Sequence, residues 1–260
     1  VLANNPITTP DNYSSSTATI ICKVVDATNN SCEAFTTLNL VVMALPGSNS
    51  NPTQMELCND SGFDYFDLTT REIEMAGATP INTIEFRYYR EISDALSNTN
   101  RITTPSNFLN TTINFQKIYV RLNSRINIDS ETGIACFKIL EIDLYVRPYP
   151  VNYLLNEPYP ICIDQLNNIT YPVEIKTQLN RTDYTCQWYN GHDAVAGNEI
   201  IGQTGTSFTT STVGQYSVVV TNISNAANCS STFNLSTQNS IVPNSVTINP
   251  NELIAFGTDN

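Results

Sequence analysis

An internal repeat constrains this sequence more than any other feature. Residues 7–13 read ITTPDNY and residues 102–108 read ITTPSNF, and the similarity continues until each copy ends at a proline. Cys32 aligns with Cys136, and apolar residues then recur at every second position in both copies. This alternation indicates strands that each bury one face. The aligned apolar positions are Leu38, Leu40 and Val42 in the first copy and Ile142, Leu144 and Val146 in the second.

The composition also favours β-sheet over helix. Hydrophobic residues make up 41% of the 260 residues, but charged residues only 14%, against about 25% in an average domain. Asn, Thr and Ser replace the missing charge. Their side chains compete for backbone hydrogen bonds inside helices, whereas Thr, Val, Ile and Tyr suit strands. The sequence therefore predicts an all-β fold of tandem immunoglobulin-like β-sandwich modules.

The repeat divides the chain into four segments. Residues 1–47 are expected to be the C-terminal part of a truncated repeat, so that further repeats would precede them. Residues 48–150 form the second repeat module, in which TTREIEMAG and SDALSN predict two short helical turns capped by Thr69 and Ser93. Residues 151–238 form an immunoglobulin-like module, and residues 239–260 a linker and the start of another module. We expect the modules to be strung end to end.

Two aromatic residues support the immunoglobulin-like assignment. The segment TCQWYNG contains Trp188, the only tryptophan in the chain, and Tyr216 opens the alternating segment QYSVVVTN. In such sandwiches one Trp packs between the two sheets, and a Tyr at the start of a late strand hydrogen-bonds back to the preceding corner. Trp188 and Tyr216 are predicted to fill these two structural positions in the core.

Charge and histidine content argue against several functions. The net charge of −12 would repel nucleic acid, and no run of 18 apolar residues provides a transmembrane segment. The lone His192 lies in a turn-like stretch and is expected to be solvated, so nucleophilic catalysis is not supported. Asp60, Asp64 and Asp67 could hold calcium around a glycine turn. A solvated turn is the favoured alternative, and no other cofactor is expected.

Seven cysteines without a CxxC pair suggest disulfides formed in an oxidising compartment. Cys58 and Cys136 bracket the second module, and Cys162 and Cys229 bracket the third in parallel positions, so each pair is expected to bond. Cys32 aligns with Cys136, so its partner is expected upstream of residue 1, and a bond to Cys22 is the alternative. Cys22 and Cys186 are otherwise expected to be small buried strand residues.

Several segments resemble a known family. CNDSGFDYFDLT, RYYREISDALSNTNRITTPSNF and KIYVRL are similar to repeats of cell-surface and adhesin-like proteins of Bacteroidota that the type IX secretion system exports. Such chains often end in a gliding-motility-associated (type B) sorting domain. YTCQWYNG and TSFTTSTVGQYSVVVTN are similar to the immunoglobulin-like module near that sorting domain. The resemblance implies secretion to the cell surface, with the secretion machinery and outer-membrane surface components as partners.

We therefore expect a non-catalytic stalk or adhesin segment of a large extracellular protein. One alternative is a carbohydrate-binding accessory module of a secreted enzyme, which would need an exposed aromatic row to bind glycans. The other is an enzyme that uses clustered carboxylates, Glu72 among them, and it would need a deep polar pocket. The tyrosines that could form the aromatic row are Tyr88, Tyr89, Tyr145, Tyr149, Tyr153 and Tyr159.

Overall fold

The computed structural model describes residues 6–28, 32–48, 50–129 and 132–241 and is built mainly from β-strands. The predicted all-β, immunoglobulin-like fold is confirmed. The chain divides into two compact units, which are not colinear with the predicted modules. Unit 1 contains residues 1–53, 67–106 and 117–142, and unit 2 contains residues 54–66, 107–116 and 143–260. The predicted module boundaries stay predictions, and most of the predicted last segment lies outside the described residues.

Fifteen strands and two short α-helices are described. In chain order the strands are β1 (Ala18–Val25), β2 (Glu33–Leu40), β3 (Met55–Cys58), β4 (Tyr65–Phe66), β5 (Ile84–Tyr89), β6 (Phe108–Leu109), β7 (Phe115–Ile128), β8 (Ala135–Arg147), β9 (Tyr159–Ile163), β10 (Ile169–Tyr171), β11 (Val173–Lys176), β12 (Tyr184–Asn190), β13 (Ser207–Thr210), β14 (Gln215–Asn222) and β15 (Ser230–Ile241). The helices are α1 (Glu72–Ala76) and α2 (Ile92–Ser97), and short 3-10 turns lie at Pro10–Asn12, Leu68–Arg71, Ile81–Thr83 and Pro105–Asn107.

In unit 1 the first repeat copy forms the antiparallel hairpin β1–β2, in which Ile20 pairs with Leu38. The prediction of strands is correct, but the prediction of a buried face is wrong here. Leu38 is 57% exposed and Val42 60% exposed. An isolated pair of strands has no second layer to cover either face, so the alternating pattern remains without the burial that it usually signals.

The second repeat copy in unit 1 buries its pattern as predicted. Strands β5, β7 and β8 are adjacent in that order, and β5 runs antiparallel to β7. Ile118, Val120, Leu122 and Ile142 are fully buried. Leu144 and Val146, which continue β8 into unit 2, are also buried there. Strands with a covered face thus confirm the period-2 prediction for this copy.

The two predicted helical turns are present, but their caps differ from the prediction. Asp67, not Thr69, caps the first turn, because its carboxylate accepts hydrogen bonds from the amide and hydroxyl of Thr69. Gly77 ends α1 with φ of 56°, a left-handed value that suits glycine. Helix α2 begins one residue before Ser93 and ends at Asn98, which is also left-handed.

Unit 2 opens with β3, which runs parallel to the C-terminal end of β8 and places Cys58 opposite Arg147. Asn110 ties the nearby turns together: its side-chain oxygen accepts from the amide of Asp64, and its amide donates to the carbonyls of Gly62 and Thr112. The short strands β4 and β6 pair antiparallel beside this residue. This part of unit 2 positions Cys58 at the end of the half-buried strand β3.

The rest of unit 2 is a β-sandwich. One sheet has the order β10-β9-β15-β14-β12, and the second consists of β11 and β13. Strand β9 runs parallel to β15, whereas β14 runs antiparallel to both of its neighbours, β12 and β15. Buried side chains of both sheets form one core, so the immunoglobulin-like prediction holds. The core residues are Leu154, Tyr159, Ile175, Cys186, Trp188, Phe208, Tyr216, Val218, Val220 and Leu235.

Both predicted aromatic core positions are confirmed. Trp188 is fully buried, lies 5.2 Å from the ring of Phe208 and donates its indole N–H to the carbonyl of Gly205 at 2.9 Å. Tyr216 is 5% exposed, and its hydroxyl donates to the carbonyl of Thr212 at 2.9 Å. This bond, four residues back along the chain, forms the tyrosine corner of the fold.

Replacing Tyr216 with Phe should lower the free energy of unfolding of the sandwich by about 1 to 2 kcal/mol, because it removes the hydrogen bonds of the hydroxyl to Thr212 and Thr210 and leaves the ring in place. Urea unfolding followed by the fluorescence of Trp188, the sole tryptophan, reports on this core. Tyr171→Phe is the matched control, since Tyr171 is 70% exposed, and it should change nothing. Equal stability of the Tyr216→Phe and Tyr171→Phe variants would contradict the tyrosine corner.

Candidate functional site

A disulfide between Cys58 and Cys229 is the central feature of unit 2. The bond joins residues separated by 171 positions, with their Cα atoms 5.6 Å apart. Cys58 ends β3, and Cys229 closes the loop between β14 and β15, where its carbonyl accepts from the amide of Asn222. The bond therefore attaches the β3–β8 strand pair to one end of the sandwich.

A partly buried ion pair lies beside this bond. The side chain of Glu56, two residues before Cys58 on β3, is only 2% exposed. Arg147 donates to both of its oxygens, from Nε at 3.2 Å and from Nη2 at 3.4 Å. Gln54 donates to the same carboxylate, and so does the backbone amide of Ala227, at 3.4 Å. We refer to Cys58, Cys229, Glu56, Arg147 and Ala227 as the disulfide clamp.

Backbone and ring contacts complete the disulfide clamp. The sulfur of Cys58 lies 3.8 Å from the carbonyl oxygen of Ala227, and that of Cys229 lies 3.9 Å from the carbonyl oxygen of Arg147. The guanidinium of Arg147 also lies 4.1 Å above the ring of Tyr145. The disulfide, the ion pair and these hydrogen bonds thus join the end of β3 to the β14–β15 loop.

The ion pair with Arg147 favours the ionised form of Glu56. Burial on its own would raise the pKa of this carboxyl, but the hydrogen bonds and positive charge of Arg147, with the amide of Ala227, lower it more, so the net pKa lies below its usual value. Glu56 stays ionised at neutral pH. A buried carboxylate with several donors is the arrangement that makes a buried ion pair tolerable.

The predicted pairs Cys58–Cys136 and Cys162–Cys229 are wrong, and both errors have one cause. The first strand of each module pairs parallel with the last long strand, so the cysteines that bracket a module lie at opposite ends of that strand. Cys58 lies opposite Arg147, eleven residues beyond Cys136 on β8. Cys162 lies opposite Ser240, eleven residues beyond Cys229. Eleven strand residues span about 36 Å, far beyond the reach of a disulfide.

The remaining cysteines divide by burial. Cys186 is buried as predicted, beside Trp188 on β12, and burial raises the pKa of its thiol. Cys22 is exposed on the hairpin, contrary to the prediction that it would be buried, because no second layer covers β1. Cys32 is also exposed and is not bonded to Cys22 in the structure. The expected partner of Cys32 before the start of the repeat stays a prediction.

The predicted calcium ligands serve as backbone hydrogen-bond acceptors. Asp60 accepts from the amide of Tyr149 at 2.9 Å, Asp64 from the amide of the next residue at 2.8 Å, and Asp67 caps the 3-10 turn. In the described part of the chain no three His, Cys, Asp or Glu side chains come together as metal ligands. Turn formation accounts for these aspartates, and calcium binding by them stays a prediction.

The residues proposed for sugar binding and for catalysis do not share one site. Tyr88, Tyr89 and Tyr159 are buried, and Tyr145 packs 4.9 Å from the ring of Phe115, so the six tyrosines do not form an exposed row. Glu72 accepts a hydrogen bond from the hydroxyl of Tyr88. His192 is exposed in its loop, as expected.

Sequence reasoning missed the ion pair of the disulfide clamp. Glu56 and Arg147 are separated by 91 positions, and neither lies in a recognisable motif. The one usable signal is that Glu56 is the only charged residue of the short segment MELC and lies two residues before a cysteine.

Comparison with known proteins gives one family match. Residues 54–150, less than half of the chain, match a family model described as the Flavobacterium inter-domain disulphide bond domain. Cys58 lies inside the matched range and Cys229 outside it. The observed bond therefore connects the matched domain to the immunoglobulin-like sandwich that follows. No curated protein matches the chain.

Several solved structures of surface proteins are similar at low identity. A SusE-like surface-located polysaccharide-binding protein from the heparin utilisation locus of Bacteroides thetaiotaomicron is 11% identical, with a TM-score of 0.28 over 87% of this chain and 44% of its own. Cadherin-like domains 1 to 4 of zebrafish RET are 14% identical, with a TM-score of 0.23 over 85% of this chain and 57% of theirs. Drosophila N-cadherin EC1-4 is 12% identical, with a TM-score of 0.24 over 85% of this chain and 57% of its own. The chain thus spans about half the length of these proteins.

None of the helices in the described part of the chain has the length and apolar character that crossing a membrane requires.

Replacing Glu56 with Gln should lower the free energy of unfolding at pH 7 by about 2 kcal/mol, because Arg147 loses its charged partner. It should also flatten the pH dependence. The lowered pKa of Glu56 stabilises the fold above its unfolded pKa of about 4.3, and this stabilisation is lost as the pH falls through the folded value. The variant should therefore lose less stability than the wild type between pH 5 and pH 3.

Urea unfolding at pH 7, 5, 4 and 3 measures both effects. Glu174→Gln is the matched control, because Glu174 forms an exposed ion pair with Lys176 and such pairs contribute at most about 1 kcal/mol. An unchanged pH profile in Glu56→Gln, or an equal loss in Glu174→Gln, would show that the buried pair does not have this role.

Proposed function

We propose that this chain is a non-catalytic stalk or adhesin segment of a large secreted cell-surface protein, which spaces or presents other parts of that protein. The observation that carries the proposal is the disulfide Cys58–Cys229, which links a family-matched domain to an immunoglobulin-like sandwich. Stable disulfides belong to oxidising, extracellular compartments. A covalent link between successive domains is suited to a segment that transmits tension.

The size of the disulfide loop supports a mechanical role. When a chain is pulled from its ends, a disulfide carries the force past every residue that it encloses. The bond joins residues 171 positions apart, and the enclosed loop includes most of the second repeat copy and all strands of the sandwich except β15. In the chain-entropy model, closing a loop of this length stabilises the fold by about 5 kcal/mol, which is comparable with the whole stability of a small domain.

Export by the type IX secretion system is part of the proposal. It is supported by the resemblance of CNDSGFDYFDLT and KIYVRL to repeats of surface proteins that this system exports, and by the match of residues 54–150 to a Flavobacterium family. The secretion machinery and outer-membrane surface components are then the partners of the full protein.

Single-molecule stretching of the full chain between end-attached handles tests the mechanical role. The oxidised chain should stop extending with residues 58–229 still enclosed. Addition of reductant, or the double variant Cys58→Ser/Cys229→Ser, should release about 600 Å more, since an extended residue spans up to about 3.6 Å. Cys22→Ser should behave as the oxidised wild type. Equal extension of the oxidised and reduced chains would overturn the proposed covalent brace.

Protease accessibility on cells tests the proposed route. In a Bacteroidota strain that carries the chain within its parent protein, external protease should cleave the parent protein in intact cells. With the type IX system disabled, the protein should be retained inside the outer membrane and become protected. Unchanged surface exposure in the disabled strain would reject export by this system and would leave the mechanical role intact.

A further inference from the structure

Unit 1 contains an arginine-lined cleft of about 440 Å³ that neither the spacer role nor the family match explains. Its wall is formed by Arg87 on β5 and by Arg121, Asn123, Ser124 and Arg125 on β7, with Glu85 as its acidic member. We refer to these six residues as the arginine cleft. The chain as a whole carries 12 basic and 24 acidic residues. Three positive charges against one negative therefore mark the arginine cleft as an exception on an acidic protein.

The arrangement of two arginines works against fold stability. Arg87 and Arg121 are direct cross-strand partners in the antiparallel β5–β7 pair, and like charges in that position destabilise a sheet. Arg121 is only 8% exposed. Its guanidinium donates to the carbonyls of Ala95 and Leu96 and to the side chain of Asn123, each at 2.9 Å, and it stacks on the ring of Phe137.

These partners of Arg121 are all neutral. Among the described residues it forms no ion pair, and burial together with the nearby Arg87 lowers the pKa of its guanidinium. The only carboxylate of the cleft, Glu85, is taken by Arg87, which donates to its two oxygens at 2.9 and 2.8 Å. A buried cation that lacks a carboxylate costs stability, and an anion from outside the chain would reduce that cost.

Donors remain available around Arg121. Arg125 is exposed and donates through Nε to the carbonyl of Ile84 at 3.1 Å; its charge also acts on Glu85, but its two terminal nitrogens have no hydrogen-bond partner among the described residues. Asn123 uses its oxygen as an acceptor and keeps its amide hydrogens. Ser124 accepts from the amides of Ile126 and Asn127 and keeps its hydroxyl hydrogen. Guanidinium groups beside amide and hydroxyl donors suit a carboxylate on a hydroxyl-rich molecule.

We propose that the arginine cleft binds an acidic saccharide, with the carboxylate of a uronic acid between Arg121 and Arg125 and its hydroxyls on Asn123 and Ser124. A cleft of about 440 Å³ is at the small end of ligand pockets and has room for one or two sugar rings. Recognition by arginine and amide donors does not need the exposed aromatic row that the tyrosines fail to provide. The binding is independent of the spacer role, so either proposal can fail without the other.

Titration of the oxidised chain with trigalacturonate, followed by calorimetry and by NMR of the arginine side-chain N–H groups, tests this site. At low salt we expect binding with a dissociation constant below about 1 mM, with the signals of Arg121 and Arg125 shifted. At 0.5 M NaCl the affinity should fall at least fivefold, because salt screens exposed charges. The neutral sugar maltotriose should not bind.

The decisive variant is Arg125→Gln, since Arg125 is exposed and its loss should leave the melting temperature unchanged. It should weaken trigalacturonate binding at least fivefold. Arg181→Gln removes an equal charge from an exposed position of unit 2 and should bind as the wild type. Equal binding of maltotriose, equal weakening in Arg181→Gln, or preference for an Asp-rich peptide over the sugar would each overturn the proposal.

Discussion

The bond between Cys58 and Cys229 is the constraint on which unit 2 depends. It fixes the end of β3 to the loop that precedes β15, and in the described part of the chain no other disulfide links these two elements. Loop closure acts mainly on the unfolded chain, because it removes the conformations in which these distant positions are far apart. Glu56 and Arg147 act on the folded state instead, by orienting the strand that carries Cys58. Together the two effects favour a single arrangement of strand and loop.

Parallel pairing explains why these cysteines meet while the more symmetric pairs do not. A module that begins and ends with antiparallel neighbours brings its first and last residues together, which is the geometry behind pairing cysteines by their place in the sequence. Here β3 runs parallel to β8 and β9 runs parallel to β15. Each first strand therefore lies beside the C-terminal end of the last long strand, and a cysteine on the first strand is far from a cysteine at the start of the last one.

Much of the fold could be read from local pattern, because strands and aromatic core positions are specified by neighbouring residues. Alternation predicted β2, β8 and β14, and the positions of Trp188 and Tyr216 followed from the immunoglobulin-like pattern. The exposure of the β1–β2 hairpin could not be predicted. Leu38 lies in the same alternating pattern as the buried Ile142, but among the described residues no second layer covers it. The disulfide and the arginine cleft depend on contacts between distant positions, for which a single sequence carries no register information.

The surroundings of two arginines, Arg147 and Arg121, distinguish a structural ion pair from a candidate binding site. Arg147 faces a carboxylate that is 2% exposed and accepts from two further donors, Gln54 and the amide of Ala227, so the charges of that site are balanced within the protein. Arg121 is more enclosed, at 8% exposed against 32% for the side chain of Arg147, but faces carbonyls, an amide, an aromatic ring and a second arginine. The first arrangement holds two elements together and needs nothing else. The second retains positive charge at a cost to the sheet, and such a cost is expected where a site is built for a partner that the chain does not itself supply.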